Sequence, residues 1–360
     1  MKFRLHDLPP LSGSISIGSA LSRLAGGTLL VVGFDTEEDC QRAVRWRDFE
    51  PERLEGLERY GECAAIALHS DGTVVGNCGD FLDALTVDAA EQMTMGVLWP
   101  PGESEPRILV PMDGHDSTQA TCIGPDKKNG LVCGRSFASQ VPLQCRAAFW
   151  PVGNTEICID FARPDDSDRW PSTRVLDRNS SGLAVGYASN GPTSSTAAFW
   201  GTETGRVSIN ELPVPEASMF AITDGGIALM MLAEVAGGPR SFGGMILNRG
   251  STPTPFVVSG PIAPSDDLPV IQEVNDSVWF VWNGKLTEGT EAGTPECFLF
   301  VAKDPTQLAE AAAKALHDLV ELPPGWDRLC NISGITRDGW MVGEGMFEGQ
   351  PRGFVLEPID

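Results

Sequence analysis

Glu62 to Trp99 reads ECAAIALHSDGTVVGNC, then a loop, then MGVLW, and versions of this stretch recur along the whole chain. Ala64 to Leu68 is a small and apolar run, Asp71-Gly72 accepts positive φ in a tight hairpin turn, and Thr73 to Gly76 is a β-branched run. Together they spell two short antiparallel strands. Gly96-Val97-Leu98-Trp99 is a third strand closing on an aromatic, and Ile108-Leu109-Val110-Pro111 is a fourth, stopped by proline. The unit is a four-stranded meander.

The apolar residue that closes the third strand falls at Trp46, Trp99, Trp150, Trp200, Leu247, Phe300 and Leu356, with 47 to 56 residues between successive copies. That period belongs to propeller blades and not to helical solenoids. The hairpin recurs as GGTLLVVG at Gly26 to Gly33, DGTVVG at Asp71 to Gly76, NGLVCG at Asn129 to Gly134 and SGLAVG at Ser181 to Gly186. Weaker copies are DGGIALM at Asp224 to Met230, NDSVWFVW at Asn275 to Trp282 and DGWMVG at Asp338 to Gly343.

A hairpin ending in D/N-G-x-V-V-G, followed a dozen or so residues later by A-F-x-W, resembles the HAF-type bacterial repeat, a β-propeller-like repeat. The resemblance covers nearly the whole chain; Met230 and Val281 depart from it where the pattern has V-V-G. It implies architecture and no particular catalytic activity.

The expected fold is all-β: a seven-bladed β-propeller of four-stranded blades in a single domain over residues 1–360. The blades are expected at approximately 10–57, 62–110, 119–160, 173–211, 217–258, 270–322, and 329–356 plus 3–8. The last repeat runs out after its third strand, and FRLHDLP at Phe3 to Pro9 resembles the fourth-strand copies at Ile108 and Val207. The N-terminal strand therefore completes the last blade and closes the propeller, removing two open edges. Forty glycines, 27 prolines and 42% hydrophobic residues suit many short strands and turns around interblade cores.

One helix is expected near 305–318. Asp304 suits the N-cap, Pro305 the first helical position, and Leu308, Ala311, Ala312, Leu316 and Leu319 fall at helical spacing before Pro323-Pro324. Its apolar stripe is expected to pack locally as a lid on one face, in preference to binding a partner.

Met1 to Pro10 lacks the apolar run of a secretory signal, and nowhere are there 18 apolar residues in succession. A cytoplasmic location is expected. The nine cysteines include no C-x-x-C pair and no zinc spacing, so neither metal nor cofactor is expected, and free thiols packed as small hydrophobes are the favoured reading. Cys63 with Cys78, or Cys122 with Cys133, could face each other across a hairpin; in an oxidising compartment either pair could form a disulfide.

Catalytic motifs are sparse. There is no G-x-S-x-G, no Gly-rich phosphate loop and no H-E-x-x-H. His115, in MDGHDST between Asp113 and Asp116, is the single weak catalytic candidate, and a solvated loop histidine is the better reading because nothing marks a nucleophile beside it. Asp177 to Gly182 matches the first half of a calcium loop, but Ala188 stands where a bidentate Glu is required, so a hairpin turn is expected.

Charge is the informative property. Forty-nine acidic against 26 basic residues give a net charge of −23, which argues against nucleic acid and for a cationic partner. In a four-stranded blade, the loop between strands two and three opens on the same face as the loop leading to the next blade. Those loops hold Asp80, Asp83, Asp88, Asp113, Asp116, Asp165, Asp166, Asp168, Asp266 and Asp267, the expected partner-binding residues. The opposite face receives the hairpin turns with Lys127, Lys128, Arg178 and Arg337. The favoured function is a non-enzymatic protein-binding propeller whose acidic face docks a basic partner, concretely an immunity-type inhibitor of a basic toxin. The protein is expected to be monomeric on its own and to bind no membrane. The alternatives are an enzyme of hydrolase or lyase type with its site at the central channel, or a glycan-binding propeller, which would need exposed aromatics where the tryptophans occupy core positions.

Overall fold

In the computed structural model the repeat folds as its pattern requires, into seven antiparallel blades; the fold is an all-β, seven-bladed β-propeller. The structure describes residues 1–38, 40–79, 94–124, 130–139, 145–161, 170–190, 195–201, 206–209, 216–233, 240–247, 254–258, 262–264, 268–286 and 294–359.

Blade one comprises Ile15–Arg23, Leu29–Glu37, Cys40–Arg47 and Glu50–Arg53. Blade two comprises Cys63–Leu68, Val74–Gly79, Thr94–Trp99 and Arg107–Ile108. Blade three comprises Ser117–Ile123, Leu131–Phe137, Arg146–Pro151 and Ile159–Asp160. Blade four comprises Ser172–Arg178, Leu183–Ser189, Ser195–Gly201 and Arg206–Ile209. Blade five comprises Glu216–Ile222, Ile227–Ala233, Arg240–Ile246 and Thr254–Val258. Blade six comprises Val270–Val274, Ser277–Leu286, Pro295–Ala302 and Lys314–Ala315, with Ile262–Pro264 added beside its second strand. Blade seven runs Trp326–Ile335, Met341–Phe347 and Gln350–Ile359, and its fourth strand is Lys2–Leu8.

Contacts cluster into two compact units, residues 1–53 with 255–360 and residues 54–254. In the first unit the N-terminal strand pairs antiparallel with the C-terminal one from Lys2 opposite Ile359 to Leu8 opposite Gly353. Alternation along this strand buries Phe3 and Leu5 with Trp279, Leu299, Trp326 and Phe354, and sends Leu8 into a core with Val31, Trp46 and Val342. In the second unit Val75, Leu98, Ala120, Val132 and Trp150 fill the seam between blades two and three. Val175, Ala184, Ala198 and Trp200 pack with Cys133 and Phe161 between blades three and four.

The repeated tryptophans do more than fill space. Trp46, Trp99 and Trp150 are fully buried, and each indole N–H donates to a carbonyl of the segment entering its own blade: Pro9 at 2.7 Å, Glu55 at 2.9 Å and Val110 at 2.8 Å. A buried indole needs such a partner, so one residue type both packs the blade and fixes its entry.

The repeat glycine has a steric reason as well. In blades two and three the first strand carries a bulge, between Ala65 and Ala67 and between Ala120 and Cys122. The bulge presses the Ala64 and Gln119 carbonyl oxygens against Gly76 and Gly134, where any Cβ would collide. Blade six pairs Val270 with Val281 without such a break, and there Trp282, immediately before Asn283, stands at the glycine's position opposite Phe298. Blade five keeps a break beside Met219, which faces Met230; nothing in the structure explains why methionine is accommodated.

Two expectations change. The helix near 305–318 is instead two 3-10 turns, Pro305–Glu310 and Leu316–Leu319, separated by extended chain. Asp304 does cap the first turn, accepting from the Thr306 amide at 2.9 Å. The chain leaves helical geometry at Ala311 because Lys314–Ala315 pairs with blade six, opposite Leu299 and Phe298. Leu308, Leu316 and Leu319 are nevertheless buried, so tertiary packing overrides the propensity of the alanine run. The second change concerns Cys63 and Cys78, which lie directly opposite in register and form a disulfide, while Cys122 and Cys133, also opposite, are free. Seven of the nine cysteines remain thiols.

Candidate functional site

Of the ten expected docking carboxylates, Asp80, Asp83, Asp88, Asp165, Asp166, Asp168, Asp266 and Asp267 lie outside the described residues, as do Lys127 and Lys128. Asp113 and Asp116 are described, in the connection from blade two to blade three. Asp113 is exposed. Asp116 is also exposed, but its carboxylate accepts from the Ser139 amide at 2.7 Å and the Ser139 hydroxyl at 2.6 Å. Those bonds, the hydroxyl first, hold its carboxyl below the usual range and tie this connection to the end of blade three's second strand.

His115 lies between them. Its Nδ1 is 2.9 Å from the Ser136 hydroxyl, whose oxygen also accepts from the Met112 amide at 3.0 Å. Partial burial, with the Arg146 guanidinium second, pushes the imidazole below its ordinary value, although Asp160 and Asp116 pull the other way. A neutral His beside a serine has the outline of a base and nucleophile. Ser136, however, is fully buried and engaged by backbone, so no substrate atom reaches its oxygen. The pair fastens a turn.

The expected hairpin at Asp177 to Gly182 is present. Asn179 Oδ1 accepts from the Ser181 and Leu183 amides at 3.1 and 3.0 Å, and Asn179 Nδ2 donates to the Thr223 carbonyl of blade five at 3.1 Å. Arg178, expected on the surface of the hairpin face, is buried at 5% exposure. Asp177 accepts from the Ile222 and Arg178 amides, both at 2.8 Å, and burial still raises its carboxyl to about 6. Among the described residues no group of three or more His, Cys, Asp or Glu is placed to hold a metal ion, and no helix is long and apolar enough to cross a membrane.

The structure also assembles residues that sequence reasoning passed over. Arg135, Arg174 and Tyr187 gather around the buried thiol of Cys145, with Arg174 Nε 3.4 Å from the sulfur and the Ser172 hydroxyl at 2.8 Å. A signal was present: Arg135 and Tyr187 immediately follow the repeat glycines Gly134 and Gly186.

Comparison with solved structures returns propellers. The structure of YCF48 bound to D1 peptide matches with 10% identity over 100% of this chain and 97% of that one, at a TM-score of 0.54. A prolyl endopeptidase matches at 12% identity and a TM-score of 0.59, covering 99% of this chain and 47% of the other. A puromycin hydrolase matches at 14% identity and 0.56, covering 98% and 55%. The chain thus spans about half the length of these two enzymes. At such identities the likeness is one of fold. No family model matches the sequence, and no curated protein matches it.

Proposed function

We propose that this chain is a non-enzymatic protein-binding propeller, built from HAF-type repeats, whose acidic loops dock a basic partner protein. An immunity-type inhibitor of a basic toxin is the concrete form. The observation that carries the reading is the acid excess, 49 against 26, gathered by sequence into the loops between strands two and three and between blades. A propeller rim of one sign focuses potential and accelerates encounter with an oppositely charged partner. That the YCF48 propeller is solved with a peptide bound supports a protein ligand on a propeller of this size.

The test captures the partner from the native host and measures its association rate at low and high salt. Replacing Asp165, Asp166 and Asp168 by Asn should slow association at low salt and flatten the salt dependence. Replacing Lys127 and Lys128 by Gln should change little. Equal effects from the two sets, or an unmodified protein indifferent to salt, would sink the docking reading. A cytoplasmic location is part of the proposal. Fractionation of the native host tests it, recovery with the cytoplasmic proteins supporting it and recovery from an oxidising compartment, where the Cys63 to Cys78 disulfide would persist, opposing it.

A further inference from the structure

The position after the repeat glycine has a structural task in two blades. In blade two Asn77 exchanges a pair of hydrogen bonds with Ala120 of the next blade, and in blade six Asn283 does the same with Ile332. Blades three and four put Arg135 and Tyr187 there instead, and neither side chain makes such a clasp. The seam between these blades is closed by other groups: the Thr121 hydroxyl donates to the Val175 carbonyl at 2.8 Å, and the Ala147 amide donates to the Thr173 hydroxyl at 3.0 Å. Arg135 is thereby released from closing that seam.

Arg135 and Tyr187 both lie beside Cys145. Arg135 donates through Nε to Gln119 at 2.7 Å, and its guanidinium lies 5.0 Å over Phe137. Arg174, directly opposite Tyr187 in register, lies 5.5 Å over that ring and reaches the Cys145 sulfur. Both arginines and the tyrosine keep part of their surface open to solvent. No carboxylate among the described residues pairs with either guanidinium, although acidic residues outnumber basic ones in the chain. Burial first, then the nearby Arg174, presses the Arg135 pKa down. The Cys145 thiol is pulled below its ordinary value by Arg174 and Arg135 against the opposing effect of its burial. At Arg174 burial is outweighed by Cys145 and Tyr187, which raise its pKa, so Arg135 is the cation left in deficit, and an anion placed beside it would stabilise it.

We propose that the cluster between blades three and four, Arg135, Arg174 and Tyr187 beside the Cys145 sulfur, is a carboxylate-binding site. Two guanidinium forks and a phenol match the planar, two-oxygen geometry of a carboxylate. This proposal does not depend on the docking of a basic partner.

Calorimetric titration of the intact protein at constant ionic strength tests it, with acetate, a short acetylated peptide ending in a free carboxylate, the same peptide amidated, and inorganic phosphate as probes. Acetate and the free-acid peptide should bind, and the amide should not. A free-acid peptide tighter than acetate assigns the carboxylate to a chain terminus, while equal affinities assign it to a small organic acid. Arg174→Gln and Arg135→Gln should each weaken binding by about 10-fold or more, with Arg174→Lys intermediate because it keeps charge and loses the fork. If a variant does not fold, 4-bromobenzoate soaked into crystals of the unmodified protein decides the matter, since its aryl bromide does not alkylate thiols and its bromine should appear beside Arg135 and Arg174. Binding that favours phosphate, that survives both glutamine variants, or that places bromine elsewhere would overturn the assignment, as would no binding of either carboxylate.

Discussion

Asn77 and Ala120 are joined head to tail across two blades: the Asn77 Nδ2 donates to the Ala120 carbonyl at 3.1 Å, and the Ala120 amide donates to Asn77 Oδ1 at 2.8 Å. One carboxamide thereby satisfies both backbone groups of a residue beside a bulge, where the strand ladder is interrupted. Asn77→Ala leaves a buried donor and a buried acceptor without partners, so it should cost about 2–4 kcal/mol, read as a lowered urea midpoint with unchanged slope. A midpoint within error of the unmodified protein would show that water replaces the clasp.

Removing residues 1–8 should destabilise the unit that contains blade seven. The truncation strips a fully paired strand from the blade and uncovers surface packed by Phe3, Leu5 and Leu8. At about 1.5–3 kcal/mol per buried side chain the loss is roughly 5 kcal/mol or more, taken as an upper range for a compact unfolded chain. Thermal unfolding checks it, and a truncated protein that melts with the full-length one would contradict the pairing.

The stability contributed by Asp177 should fall as pH rises. Its folded value is raised to about 6 by burial, from an ordinary value of 3.8, so the native state holds a proton that the unfolded chain has released across that window. Stability from this group is full below about pH 4 and is lost as pH climbs through 6, by at most about 3 kcal/mol. Urea unfolding from pH 4 to 7 should show Asp177→Asn with a shallower decline than the unmodified protein. Parallel curves would mean the carboxylate is solvated.

The Cys63 to Cys78 bond closes a hairpin with a sequence separation of 15, for which loop-closure entropy suggests about 3 kcal/mol. Thiol titration of the denatured, unreduced protein should count seven groups, and nine after reduction. Cys63→Ser with Cys78→Ser should unfold earlier than the oxidised parent and match the reduced parent.

The one-dimensional pattern determined what depends on near neighbours in the chain. Alternation, turn dipeptides and a recurring tryptophan suffice to mark strands, and the unfinished last repeat points to Phe3 as its missing edge, because a strand's faces and ends follow from local residue types. What depends on distant neighbours stayed hidden. The stripe from Leu308 to Leu319 reads as a helix, yet Leu299 and Phe298 of a neighbouring strand recruit Lys314 and Ala315 and break it. Cys63 with Cys78 and Cys122 with Cys133 are equivalent in the sequence, but the bulge falls immediately before Cys122 and is displaced from Cys63, a distinction visible only in the register. Arg135, Arg174 and Tyr187 come from separate strands and Cys145 from the chain just before another, and they meet only when blades three and four stack, because packing of one blade on the next, and not spacing along the chain, sets which side chains share a seam.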